Sequence, residues 1–336
     1  MKPLIRLFTL IAIVFFFTGC QKTEPVKIGF LIHAFDKERW ENDRDCFVSK
    51  VKELGGNVIV KDAGNNAEVQ MKQANELFEE GVAVLVIVPV DQFAAAKIVK
   101  EAHRNGVKVI SYDRLILNCN LDYYVSTDNV EIGELQAGYL TRIKPVGNYA
   151  LIGGARSDHN SQFLYLGQMN ILSPLIEKGD VKLVYNTFTE QWSADEGYKL
   201  TLDLLKKTNN KVDAIIAAND AIAWGAIQAL EEKKLGGKVL VAGMDADLRN
   251  LQEIVKGTQT CTIYKPIRKM AETAADIAMR LANGESCDKL FQTTSNGEKL
   301  VPSVLQNGVI VNRDNLKLTV VSEGYQKEEE IFRKGQ

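Results

Sequence analysis

The stretch AVLVIVPVDQFAAAKIVKEAHRNGVKVISYD, residues 83–113, decides the fold. It opens on an unbroken apolar run rich in valine, the pattern of a strand covered on both faces. AAAKIVKEAHRNGV then spaces its apolar residues along one helix face and stops at a glycine. KVISYD returns to strand. A strand, an amphipathic crossover and a second strand of this kind imply parallel pairing.

Working outward, the same alternation continues upstream. VKIGFLI reads as a strand, CFVSKVKELGG as a helix, NVIVKDA as a strand and VQMKQANELFEEGV as a helix. The pattern then runs a second time. VAVLVIVPVD (82–91) is similar to VDAIIAANDA (212–221), GVKVISYDRL (106–115) to GKVLVAGMDAD (237–247), and NVIVKDA (57–63) to VKLVYNT (181–187). At 336 residues the chain is too long for one ordinary core. The expected fold class is therefore α/β, with two similar Rossmann-like lobes built on parallel sheets.

Ligands of open parallel sheets bind beyond the carboxyl ends of the strands. The residues placed there are polar and specific. They are Arg39 and Trp40 after the first strand, Asp113 and Arg114 after KVISY, and Asp158 and Asn160 after YALIGGAR. Trp192 follows LVYNTFTEQ, Asn219 follows AIIAA, Asp245 follows VLVAGM and Lys265 follows CTIY. Two lobes facing each other across these ends would enclose a cleft of Asp, Asn, Arg, Lys and Trp. A pyranose has hydroxyls around its rim, which suit charged hydrogen-bonding partners. Its C–H faces suit indoles, so Trp40 and Trp192 could hold a ring between them. Singly, each residue has a structural alternative. Trp40 could staple a helix start, Asp113 could cap the next segment, Lys265 could be a surface lysine, and Trp224 fits packing better than ligand contact.

Evidence for catalysis is thin. The chain has no G-x-G-x-x-G, no G-x-x-x-x-G-K-[ST] and no G-x-S-x-G. The glycine pair of LIGGAR could approach a ligand but is no phosphate fingerprint. His103 is expected on a solvated helix face, whereas His33 and His159 fall at strand ends. Asp113 and Asp245 could form a glycosidase-like pair, but nearby Arg and Lys would depress their pKa values and spoil a general acid. Net charge is −2, which offers no electrostatic case for nucleic acid. Cys46, Cys119, Cys261 and Cys287 have no metal-site spacing; Cys46 and Cys261 read as buried thiols, and disulfide pairing is left open. No metal or cofactor is expected.

The N-terminus, MKPLIRLFTLIAIVFFFTGC, has two basic residues, an apolar run from Leu7 to Phe17 and small residues before Cys20. It reads as a signal peptide, too short for a membrane span. FTGC resembles a lipobox, which implies cleavage before Cys20 and lipid on its sulfur.

From VKIGF to VSEGYQKE the chain resembles the bacterial periplasmic D-xylose-binding proteins, a branch of the type I periplasmic sugar-binding proteins. The motifs that carry this are ERWENDRDCFV, VLVIVPV, VISYDRLI, GGARSDHNSQ, AIIAANDAIAWGAIQAL, GMDADL and GTQTCTIYKPI. The chain departs from the family pattern at His33–Ala34, His159 and Trp224. The resemblance implies that Arg39, Asp113, Arg114, Asn160, Asn219, Asp245 and Lys265 hydrogen-bond a monosaccharide, D-xylose above others. Trp40 and Trp192 would sandwich it, with Asp158 a polar neighbour. It also implies a three-crossover hinge near 126–129, 264–265 and 300–303. The expected organisation is a signal peptide at 1–19 and a tether at 20–25. Residues 26–127 plus 265–300 would form the first lobe, and 128–264 plus 301–330 the second. The implied protein is no enzyme. It is an exported monomer at the periplasmic face of a membrane, held there by the Cys20 lipid. It would close on sugar and hand it to the permease of an ABC importer or report it to the outer domain of a sensor kinase.

Overall fold

The computed structural model describes residues 24–35, 38–287 and 292–333, the side chain of Glu38 aside. The expected signal peptide, Cys20 and most of the tether lie outside these residues. The first part of the chain runs β1 (Lys27–Ile32), α1 (Glu38–Glu53), β2 (Asn57–Asp62), α2 (Ala67–Glu79), β3 (Val84–Ile87), α3 (Ala95–Arg104), β4 (Lys108–Tyr112) and β5 (Tyr123–Thr127). The second part runs α4 (Asn129–Ile143), β6 (Gly147–Ala155), α5 (His159–Lys178), β7 (Val181–Thr189), α6 (Ala194–Lys207), β8 (Ala214–Ala217), α7 (Asp220–Glu232), β9 (Leu240–Met244), α8 (Leu248–Lys256) and β10 (Cys261–Tyr264). The chain ends with α9 (Ile267–Ala282), β11 (Gln292–Ser295), β12 (Leu300–Gln306), β13 (Val309–Val311) and a short α10 (Glu328–Ile331).

Two sheets result, ordered β11-β12-β5-β4-β3-β1-β2 and β13-β10-β9-β8-β6-β7. The three repeated sequence pairs fall on matching strands: β3 with β8, β4 with β9, and β2 with β7. In both sheets the order doubles back beside the first strand, between β1 and β3 and between β6 and β8. Such a reversal opens a crevice at the strand ends. The strands of 83–113 pair in parallel, Val84 with Lys108 through Ile87 with Ser111. All four residues of β3 are fully buried, because helices cover both faces of the sheet. Burying each such aliphatic side chain contributes roughly 1.5–3 kcal/mol.

Local signals set the helix starts that face the crevice. Asp158 caps α5 by accepting from Asn160 N–H, and Asn219 caps α7 by accepting from Ile222 N–H. Asp128 caps α4 just after the chain leaves the first sheet. The chain crosses between lobes there, again at Lys265–Pro266, and a third time at Asn307–Gly308. The last crossing falls later than the expected 300–303. β12 stays with the first lobe because it pairs in parallel with β5, Ser303 with Tyr124 through Gln306 with Thr127. Only β13 joins the second sheet, antiparallel to β10.

Two smaller expectations also change. His103 is not simply solvated: its Nε2 stands 2.7 Å from Asp122 Oδ2. Cys46 is half-buried, unlike the buried Cys261, and Cys46, Cys119 and Cys261 are free thiols.

Candidate ligand-binding cleft

The strand ends of both lobes meet at a cavity of about 530 Å³. All ten residues singled out from sequence line it: Arg39, Trp40, Asp113, Arg114, Asp158, Asn160, Trp192, Asn219, Asp245 and Lys265.

Its floor is a buried charge cluster. Asp113 is the first residue after β4 and Asp245 the first after β9, and both have left-handed backbone, with φ of 61° and 104°. That conformation is uncommon for a residue with a side chain and tends to mark functional positions. Around Asp113 the surroundings fix it. Its N–H donates to Val125 O, and its carbonyl accepts from Tyr124 Oη at 3.1 Å and Ser126 Oγ at 2.8 Å. In the second lobe Asp245 N–H donates to Ile263 O, and its carbonyl accepts from Tyr325 Oη at 3.1 Å.

Arg39, on the first turn of α1, divides its three nitrogens among three carboxylates. Nη2 donates to Asp113 Oδ1 at 2.9 Å, Nε donates to Asp43 Oδ2 at 3.3 Å, and Nη1 stands 3.5 Å from Asp245 Oδ1. Lys265, at the second crossing, places Nζ 3.1 Å from Asp113 Oδ1 and 3.5 Å from Asp245 Oδ1. Burial alone would push the Asp113 carboxyl up, but Arg39, Lys265 and Arg114 outweigh it and hold it well below the usual carboxylate range. Burial would likewise lower the Arg39 pKa, yet Asp113, Asp43 and Asp245 hold it above its ordinary value. A carboxylate kept this firmly ionised is a poor proton donor, so Asp113 suits accepting hydrogen bonds rather than acid catalysis.

Other groups reach across the cleft. Arg114 Nε pairs with Asp158 Oδ2 at 3.1 Å, joining the lobes, while its Nη1 donates to Pro89 O at 3.3 Å within the first lobe. Asn160 Nδ2 donates to Asp113 O at 3.1 Å. Two buried acceptors of the lining, Asn160 Oδ1 and Asp245 Oδ1, have no hydrogen-bond partner among the described residues. Asn160 Oδ1 costs about 1–3 kcal/mol until a donor satisfies it, whereas Asp245 Oδ1 keeps the two ion-pair contacts at 3.5 Å and no closer donor.

The two indoles enter from opposite lobes. Trp40 is 4% exposed, packs into the core of the first lobe and carries the Arg39 guanidinium 4.1 Å from its ring centre. Trp40 thus both packs into the first-lobe core and lines the cavity. Trp192 lies against β6, where a Cβ on Gly154 would come within 2.2 Å of the ring. The glycine pair of LIGGAR therefore makes room for an indole at Gly154 and for Phe188 at Gly153. Trp224, as expected, does not line the cavity; the Arg249 guanidinium stacks over its ring at 4.8 Å.

Sequence reasoning passed over three neighbours. Asp43 supports Arg39 from one turn along α1, and Tyr112 donates its hydroxyl to Asp43. Gln92 lines the cavity and accepts, through Oε1, the N–H of His159 at the start of α5 across the cleft. The Arg39–Asp43 spacing of four was legible as a helix pair, but not that it would be buried. Gln92 carried no signal.

Residues 28–286 match a family model described as a periplasmic binding protein domain. The chain is 44% identical over 308 residues to the D-xylose-binding periplasmic protein of Escherichia coli (strain K12), covering 92% of this chain and 93% of that one. It is 40% identical over 332 residues to the D-xylose-binding periplasmic protein of Haemophilus influenzae, covering 99% and 100%. Among solved structures, a carbohydrate transporter solute binding protein from Chloroflexus aurantiacus in complex with D-glucose superposes with a TM-score of 0.85 at 26% identity, covering 92% of this chain and 98% of that chain.

Proposed function

The chain belongs to the periplasmic binding protein family, and we propose that it binds a monosaccharide, D-xylose in preference to others, in the interlobe cleft and presents it to the permease of an ABC importer. The observation that carries this reading is a cavity walled by Trp40 and Trp192 and lined by Asn160, whose buried Oδ1 has no hydrogen-bond partner among the described residues, and by Asp245, whose Oδ1 has only two ion-pair contacts at 3.5 Å. Sugar hydroxyls supply the missing donors, and sugar C–H faces cover indoles. Asp113 and Asp245 accept from hydroxyls. Arg39, Arg114 and Lys265 donate to hydroxyl or ring oxygens, and Asn160 and Asn219 do both. Asp158 acts through Arg114, to which it is paired. Because these groups come from both lobes, bound sugar favours the closed arrangement over an open one. The role is binding and delivery, without turnover.

Export and anchoring belong to the same proposal. The N-terminal 19 residues direct the chain out of the cytoplasm, and lipid on Cys20 holds the monomer at the periplasmic face of a membrane. Intact mass of membrane-extracted protein should show acyl chains on an N-terminal Cys20; an unmodified chain that starts elsewhere refutes the anchor.

Titration calorimetry of the mature protein with D-xylose, L-arabinose, D-ribose, D-glucose and D-galactose tests the central reading. D-xylose should give the lowest Kd. No heat with any aldopentose would overturn it. Crosslinking of the sugar-loaded form in membranes should capture a permease; capture of a sensor kinase instead would assign the reporting role.

A further inference from the structure

Asp43 lies beneath the cleft without lining it. Its side chain is fully buried, and it stands one turn along α1 from Arg39. Its two oxygens divide their partners. Oδ2 accepts from Arg39 Nε at 3.3 Å, and Oδ1 accepts from the hydroxyl of Tyr112. Tyr112 is the last residue of β4 and the immediate neighbour of Asp113. One carboxylate therefore ties the helix that carries Arg39 to the strand that carries Asp113.

A guanidinium is a rigid planar fork. Once Nε is fixed on Asp43, the directions of Nη1 and Nη2 are fixed as well, towards Asp245 and Asp113. Without that hold, the flexible stem of Arg39 leaves the plane free to turn about its last bonds. We propose that Asp43 is a positioning residue for sugar binding, and that its charge sets the affinity by holding or releasing Arg39. This rests on the sugar-binding reading and extends it to a residue that does not touch the ligand.

The groups that act on Asp43 come from every side. Arg39 and Cys46 lie on α1, and Tyr112 and Asp113 lie at the end of β4. Lys265 precedes α9, and Tyr325 comes from the second lobe. Burial raises the Asp43 pKa to about 6, against the Arg39 charge and the Tyr112 hydrogen bond, which lower it. Asp43 is thus ionised at pH 7.5 and takes up a proton as the pH falls through about 6. Protonation removes its charge from Arg39, so affinity should fall with it.

The test is D-xylose calorimetry at several pH values from 5.0 to 7.5 on mature wild type, Asp43→Asn and Tyr112→Phe, with the apo melting temperature measured alongside. A pH effect from any group other than Asp43 is common to all three proteins and cancels in the comparison. Asp43→Asn should raise Kd at least about tenfold at pH 7.5 and remove the loss of affinity that wild type shows at pH 5.0. Tyr112→Phe deletes only a hydroxyl whose bond holds the Asp43 pKa down, so its pH step should move to higher pH. Wild-type Kd values in Asp43→Asn, or a wild-type pH step retained in it, overturn the proposal. So does a lower melting temperature with unchanged Kd in the folded fraction. If Asp43→Asn does not fold, an unmoved pH step in Tyr112→Phe overturns it alone. Wild type that binds none of the pentoses refutes the sugar-binding reading first; unchanged variants of a wild type that binds refute only the role of Asp43.

Discussion

Asp113 and Asp245 hold the same place in the two lobes and converge on one amine. Each is the first residue after its matched strand, each has positive φ, and each donates its N–H to the neighbouring strand, to Val125 O at 2.8 Å and Ile263 O at 2.9 Å. Their carboxylates stand 3.1 and 3.5 Å from Lys265 Nζ. The repeat seen in the sequence as KVISYD and VLVAGMD is thus a repeat of one strand-end device at the cavity. At each strand end the backbone turns to positive φ and the carboxylate lines the crevice.

The two carboxylates should nevertheless respond differently to the same substitution. The Arg39–Asp113 pair lies within the first lobe and survives opening of the cleft, whereas Arg39–Asp245 spans the lobes. Asparagine tolerates positive φ, so backbone strain does not confuse the comparison. We predict that Asp113→Asn costs about 3–5 kcal/mol of apo stability, the usual effect of removing one partner from a buried pair. Asp245→Asn should cost less than about 1 kcal/mol in the apo form, where its partners meet water. It should still weaken D-xylose at least about tenfold. Denaturant unfolding without sugar, paired with calorimetry, separates the two. Equal apo losses would show that the lobes are already clamped without ligand.

Stability against pH carries a second pair of opposite signs. The folded Asp113 pKa lies below its ordinary value of 3.8, so its contribution is full above about 3.8 and is lost as pH falls through the folded value. The folded Asp43 pKa is raised to about 6, so its contribution is full below 3.8 and is lost as pH rises from there to about 6. The stability gap between wild type and Asp113→Asn should therefore narrow as pH falls below 3.8. Between pH 4 and 6, wild type should lose ground to Asp43→Asn as pH rises. Melting temperatures on a pH grid check both slopes, and either slope reversed would contradict the corresponding assignment.

Much of this was legible because strand ends are easy to find in a parallel α/β chain. An apolar run that stops at a polar residue marks both the strand and the cavity lining, as at Asp113, Asn219 and Asp245. What escaped lies where the pattern is blind to the third dimension. Asp43 reads as one more charge in ERWENDRD, yet the helix turns it inward against Tyr112. Gly154 reads as one of a glycine pair that could approach a ligand, yet it clears a path for Trp192. The third crossing slid past β12 because nothing local distinguishes a strand that stays with the first sheet from one that joins the second. Only pairing with β5 decides that.

Gly154 offers the third prediction. Its Cβ position is filled by the Trp192 ring, with three ring carbons within 2.6 Å. Gly154→Ala must push the indole off β6, since the strand backbone cannot give. Overpacking of this kind costs about 1–3 kcal/mol. D-xylose affinity should fall about tenfold and the tryptophan emission change, with the melting temperature only slightly lowered. Unaltered affinity and emission would mean that Trp192 has another seat and is no wall of the site.

The last prediction concerns Arg114, which does two jobs that one substitution confounds. It faces the cavity, and it also latches the lobes through Asp158 at 3.1 Å. Arg114→Ala should weaken D-xylose at least about tenfold, because a single charge-assisted hydrogen bond is worth about 1.5–3 kcal/mol and 1.4 kcal/mol is a factor of ten. Apo stability should change little, since the pair to Asp158 is broken whenever the cleft opens. Asp158→Asn isolates the latch. Asparagine caps a helix about as well as aspartate, so α5 keeps its start while the ion pair loses its charge. If Arg114 acts mainly on the sugar, Asp158→Asn should raise Kd only about two- to fivefold, in keeping with the modest worth of a part-exposed ion pair. Its sugar-loaded form should still contract in solution scattering as wild type does. If Asp158→Asn costs as much as Arg114→Ala and leaves the loaded form expanded, the work of Arg114 is closure, and the ligand is held by Arg39 and Lys265.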